Sequence, residues 1–96
     1  MINGFGSLEG KKFIVGRSGH VLLNHPSVSN EHAELRFEDG RIRLRDLNST
    51  NGLYLVVGNQ RKRFREGYVM PEQSVYFGLQ EASVKQLLDT IFSLTF

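Results

Sequence analysis

The run "AELRFEDGRIRLRDL", residues 33–47, restricts the fold more than any other part of the chain. Ala33, Leu35 and Phe37 alternate with Glu34, Arg36 and Glu38, the period-two pattern of a strand with one buried face. Asp39-Gly40 then supplies residues that tolerate positive φ at both centres of a two-residue hairpin turn. Ile42 and Leu44 follow, alternating with Arg41, Arg43 and Arg45. A turn of that type fixes the register. Phe37 faces Ile42 and Leu35 faces Leu44 on the buried side, while Glu38 faces Arg41 and Glu34 faces Arg45 on the wet side. Each charged pair adds about 0.2–1 kcal/mol. Arg36 opposite Arg43 is the single mismatch, softened by the acids diagonal to it.

Further strands are expected at "KFIVG" (ending at 16), "HVLL" (20–23), "GLYLVV" (52–57) and "SVYFG" (74–78). "GNQ" reads as a turn, and "REGYVMPEQ" as a loop holding a brief extended piece. Short strands between turn residues predict an all-β, two-sheet sandwich of antiparallel and mixed strands. The tail has a different period. Val84, Leu87, Leu88, Ile91 and Phe92 fall on one helical face, so a short helix is expected over 82–92, capped by Ser83. A closing strand "SLTF" is the expectation after it. At 96 residues, with 40% hydrophobic and 23% charged composition, one domain spanning 1–96 accommodates all of this.

Composition narrows the chemistry. With 0 Cys there is no disulfide framework, no thiolate nucleophile and no thiolate metal ligand. His20, His25 and His32 lack the i, i+3 or i, i+4 spacing of a zinc site. No apolar run approaches a bilayer span and the first residues lack the regions of a signal peptide, so no membrane role and a cytoplasmic setting are expected. The net charge of +2 suits an anionic partner but is far from the dense basic stripe of a nucleic-acid binder. His32 near Ser29 invites a hydrolase reading, yet no G-x-S-x-G elbow and no orienting carboxylate accompany them. The expectation is a binding domain without enzymatic activity or cofactor.

Two polar clusters remain, "HPSVSNEH" (25–32) and "LNSTNG" (47–52), both at strand ends. Loops held on a sandwich frame are where exposed groups acquire fixed geometry. "VGRSG" adds Arg17 at the end of a strand, with Gly16 before it leaving room for close approach. Arg17, Ser29, Asn30, Thr50 and Asn51 together offer a guanidinium fork, two hydroxyls and two carboxamides, with no carboxylate among them. Such a set suits a doubly charged phosphate ester and the polar main chain beside it.

In this order, "GR" (16–17), "SNEH" (29–32) and "STNG" (49–52) resemble the motifs of the forkhead-associated (FHA) domain, over about Phe13 to Leu55. The resemblance implies a β-sandwich that binds phosphothreonine-containing protein segments through loops at one end. It further implies that Arg17 makes a charge-assisted contact with the phosphate or the adjacent peptide backbone, that Ser29 donates to a phosphate oxygen, that Asn30 contacts the phosphothreonine region and Thr50 helps hold the phosphate, and that Asn51 bonds the peptide main chain after it. His32 and Gly52, with Gly16, would support the loops from behind. The chain departs from the family pattern in four places. Asn30 stands where a basic residue is frequent, Leu53 follows Gly52, the residues before Arg17 leave little room for two full strands, and the tail is helical.

Two other readings stay open. One is a phosphate-independent structural or assembly domain on the same scaffold, using the Arg36/Arg43 face or the helix. The other is a nucleic-acid-binding β-domain using "RKRFR", Arg61 to Arg65. By default that run guards a strand edge against pairing with other chains, and the FHA resemblance implies that it follows the strand leaving "STNG", with the end of the sandwich opposite the phosphate loops as its expected place.

Overall fold

The computed structural model describes residues 6–95. After one 3₁₀ turn (Gly6–Leu8), nine strands follow: β1 (Lys12–Gly16), β2 (Val21–Leu22), β3 (Ala33–Glu38), β4 (Arg41–Asp46), β5 (Leu53–Val57), β6 (Gln60–Arg63), β7 (Glu66–Val69), β8 (Ser74–Phe77) and β9 (Gln80–Ser83). A single helix, α1 (Val84–Thr95), closes the described chain. The strands form a five-stranded sheet, ordered β2-β1-β3-β4-β7, and a four-stranded sheet, ordered β6-β5-β8-β9. All pairings are antiparallel except β1 with β2. The result is an all-β sandwich with mixed strand directions, as the patterning predicts.

The β3–β4 hairpin has the predicted register. Phe37 pairs with Ile42, Leu35 with Leu44, Glu38 with Arg41, Glu34 with Arg45, and Arg36 with Arg43. Asp39 and Gly40 both take positive φ, 55° and 69°, as a two-residue turn of this hand demands. Phe37, Leu35 and Leu44 then meet Val15, Leu53, Val75 and Phe77 in a core where each is fully buried.

One side chain on the outer face breaks the wet-side expectation. Glu34 is only 4% exposed. Arg45 at 2.8 Å, Arg36 at 3.1 Å and Lys12 of the neighbouring strand at 4.0 Å close over its carboxylate. Burial pushes the Glu34 carboxyl up, but the hydrogen bonds from Arg45 and Arg36 outweigh it and leave the group below its ordinary value.

The helix differs from the sequence expectation in its bounds. It begins at Val84, because Ala82 is taken by the ladder opposite Val75. Ser83 caps it reciprocally: Ser83 Oγ accepts from the Gln86 N–H at 3.1 Å, and Gln86 Oε1 accepts from the Ser83 N–H at 2.7 Å. The expected strand over 93–96 is replaced by helix as far as Thr95, and Phe96 lies outside the described residues. Val84, Leu87, Leu88 and Ile91 are buried on the sandwich, so the helical period outcompetes an alternation only three residues deep. Among the described residues no helix is long and apolar enough to cross a membrane.

Candidate functional site

Main-chain hydrogen bonds bring three loops to one end of the sandwich. After β1, the N–H groups of Arg17 and Ser18 donate to the carbonyls of Ser29 and Asn30, at 3.1 and 3.0 Å. This tight apposition explains Gly16: a Cβ there would collide with the Asn30 carbonyl. The "HPSVSNEH" loop is then joined to the "STNG" loop. Ser29 Oγ accepts from the Thr50 N–H at 3.1 Å, and the Asn51 side-chain amide donates to the Ser27 carbonyl at 2.9 Å.

His32 lies beneath both loops, fully buried. Its Nδ1 accepts from the Ser29 N–H at 3.0 Å and its Nε2 meets the Gly52 carbonyl at 2.8 Å. An accepting Nδ1 places the proton on Nε2, which donates to Gly52. Burial lowers the pKa of His32, only partly opposed by the Gly52 hydrogen bond and the charge of Asp46, so the ring stays neutral. The imidazole bonds the backbone of Ser29, while the Ser29 hydroxyl is engaged with Thr50; the two groups are not a nucleophile–base pair.

Inside the "STNG" loop, Asn48 takes φ 57° as a turn residue. Ser49 Oγ donates to Asp46 at 2.6 Å and accepts from the Gly52 N–H at 3.1 Å. Gly52 itself is at φ 87°, a conformation that disfavours any side chain.

The outcome is a shallow recess lined by Arg17, Pro26, Ser27, Val28, Ser29, Thr50 and Asn51. Four of the residues singled out from the sequence, Arg17, Ser29, Thr50 and Asn51, therefore share one surface depression. Asn30 does not line it; its carbonyl instead packs the Arg17 loop. No carboxylate lines the recess, and among the described residues the exposed Arg17 has no ion-pair partner. A cation with unspent charge, hydroxyls and a carboxamide around a solvent-open hollow are groups whose chemistry suits an anion.

Ser27 is the residue that sequence reasoning missed. Its Oγ accepts from the Leu79 N–H at 2.8 Å and bonds His25 Nδ1 at 2.8 Å, tying in the β8–β9 turn. Gly78 in that turn, at φ 64°, lies directly against the Ser27 main chain. The only signal available was the pairing of His25 with a serine two residues later, which does not distinguish a brace from an ordinary turn.

The "RKRFR" run also falls elsewhere than expected. β6 is an edge strand, consistent with edge protection. Its Arg63, however, pairs across to Tyr54 and folds back so that a Cβ on Gly52 would sit 3.1 Å from the guanidinium carbon. The run borders the loop end and is not remote from it.

Comparison with known proteins gives one consistent answer. A family-wide sequence profile described as FHA domain matches residues 13–75. Among solved structures, the FhaA FHA domain complexed with the intracellular domain of Rv3910 is similar at 31% identity and TM-score 0.65, over 76% of this chain and 77% of that one. A structure from work on phosphothreonine-dependent FHA domain interactions has the same identity and TM-score, over 76% and 73%. The FHA domain of CT664 from Chlamydia trachomatis is similar at 27% identity and TM-score 0.64, also over 76% and 73%. No curated protein sequence matches the chain.

Proposed function

This chain belongs to the FHA domain family, and from that membership and the anion cradle at its loop end we propose that it is a recognition module for phosphothreonine-containing protein segments. The observation that carries the reading is the convergence of Arg17, Ser29, Thr50 and Asn51 on one carboxylate-free recess. Arg17 supplies the charge. Ser29 and Thr50 supply hydroxyls to the phosphate oxygens. Asn51, with one N–H committed to Ser27, keeps its carboxamide oxygen for the peptide main chain. Asn30 acts through its carbonyl on the Arg17 loop, and His32, Gly16 and Gly52 hold the loops in register.

Pro26, exposed at the recess, offers an apolar surface against which a threonine methyl can rest. One such contact is worth about 0.8 kcal/mol, enough to favour phosphothreonine over phosphoserine by a small factor. A few charge-assisted hydrogen bonds of about 1.5–3 kcal/mol each, offset by desolvation and peptide ordering, give micromolar affinity. Binding of this kind requires no catalysis and no cofactor.

The assembly reading is less well supported. The Arg36/Arg43 face is internally matched: Arg36 and Arg45 pair with Glu34, and Arg43 with Glu66, so little charge is left for a partner. A nuclear magnetic resonance titration with a degenerate phosphothreonine peptide library tests the choice. The expected result is amide shifts at Arg17, Ser29, Thr50 and Asn51. Shifts confined to Arg36, Arg43 and Arg45, or to α1, would instead favour the assembly role.

A further inference from the structure

Beyond the anion cradle, the outer face of the four-stranded sheet carries a second cationic feature. Arg61 and Arg63 of β6 are exposed but lie against tyrosine rings of the same sheet. The Arg61 guanidinium lies 4.9 Å from the centre of the Tyr76 ring and 5.4 Å from that of Tyr54, and Arg63 lies 5.7 Å from that of Tyr54. Two aromatic faces therefore hold both guanidinium groups over the sheet. Neither has an ion-pair partner among the described residues, unlike Arg36, Arg43 and Arg45 on the opposite sheet. Planar cations restrained on aromatic rings keep their outward edges free for bidentate contact with an oxyanion.

The platform is continuous with the cradle. Arg61 and Tyr54 line a recess together with Ser27, Asn51, Gly78 and Leu79, and two of these, Ser27 and Asn51, also line the first recess. Arg63 and the Tyr54 hydroxyl both lie beside Gly52, the residue after Asn51, where an added Cβ would come within 3.1 Å and 3.0 Å of them. A peptide whose main chain is bonded by Asn51 must therefore pass within reach of the guanidinium pair.

We infer that Arg61 and Arg63, stacked on Tyr54 and Tyr76, form an anion-reading platform that selects phosphothreonine segments carrying a second negative side chain close to the modified threonine. This rests on the phosphothreonine reading of the neighbouring cradle. The chemistry is that of an oxyanion, either a carboxylate of Asp or Glu or a second phosphate ester. A nucleic acid fits less well, because two aligned guanidinium groups beside a peptide-sized recess fall short of the roughly 6–10 phosphate contacts that make such binding strong.

The test is a binding series with phosphothreonine peptides otherwise neutral, in which Asp, phosphoserine or Lys is placed in turn at each flanking position. At one or two positions Asp or phosphoserine is expected to tighten binding by roughly 3–10-fold, with Lys weakening it, and the gain should shrink as salt rises. Whichever of the two anions gains more identifies the source. In the double variant Arg61→Glu/Arg63→Glu the preference should reverse towards Lys. Equal affinity for the Asp, phosphoserine, Lys and neutral peptides in the unaltered protein would overturn the platform while leaving the cradle intact. Failure of every phosphothreonine peptide to bind would remove both. Competition by a single-stranded oligonucleotide at equal strength, without need of phosphothreonine, would replace the platform with a nucleic-acid surface.

Discussion

The imidazole of His32 donates from Nε2 to the carbonyl of Gly52, 2.8 Å away and 20 residues later in the sequence. With its other nitrogen taken by the Ser29 N–H, the ring is a buried strut between the two loops that carry most of the cradle. The Ser29 bond requires the neutral ring, whereas the Nε2–H donated to Gly52 is present in either state. Protonation would set an N–H at Nδ1 against the N–H of Ser29.

That strut makes stability depend on pH. The unfolded chain takes up a proton on His32 near 6.5, whereas burial holds the folded-state value lower. The contribution is complete above 6.5 and is lost as pH falls from there through the folded-state value, because the unfolded state then binds the extra proton. Urea unfolding at stepped pH should show this decline in the unaltered protein and a shallower one in His32→Asn. At neutral pH, His32→Ala should cost about 1–3 kcal/mol by leaving the Gly52 and Ser29 groups unpaired.

Gly16→Ala is expected to destabilise the domain by about 1–3 kcal/mol, since the added methyl must push the Asn30 carbonyl aside. The same displacement moves Arg17 relative to Ser29. Phosphopeptide affinity, measured by calorimetry, should therefore fall even under conditions where circular dichroism reports a folded sandwich.

Glu34 gives a second pH signature, in the acid range. Its folded-state pKa lies below 4.5, so its stabilising effect is present above 4.5 and is lost as pH drops through the folded value. Glu34→Gln should lower stability at neutral pH by about 1–2 kcal/mol, kept modest because the cations left behind are 43–64% exposed and can rehydrate. The variant should also show less acid sensitivity as pH falls below 4.5, as read by thermal unfolding.

Legibility in the sequence followed from how local the determining physics is. The β3–β4 register was readable because alternation, turn chemistry and charge pairing all act within a few residues and agree. The recess was readable in part, since Arg17, Ser29, Thr50 and Asn51 fall in an ordered set of spaced motifs that the FHA family shares. Ser27 was not, because its role depends on Leu79, 52 residues away, meeting it across the sandwich. The burial of Glu34 likewise depends on Lys12 arriving from another strand. The course of Arg63 over Tyr54 required knowing that β6 turns back beside β5 with Gly52 at the near end, a fact of tertiary placement.

The most direct test of the cradle is calorimetric titration of one peptide sequence in two forms, threonine and phosphothreonine, against the unaltered domain and Arg17→Ala. The expected result is heat from the phosphorylated form alone, with micromolar affinity, reduced about 10–100-fold in Arg17→Ala as a charge-assisted contact of about 1.5–3 kcal/mol is lost. Equal heat from both peptide forms, or full phosphopeptide binding by Arg17→Ala, would contradict the account.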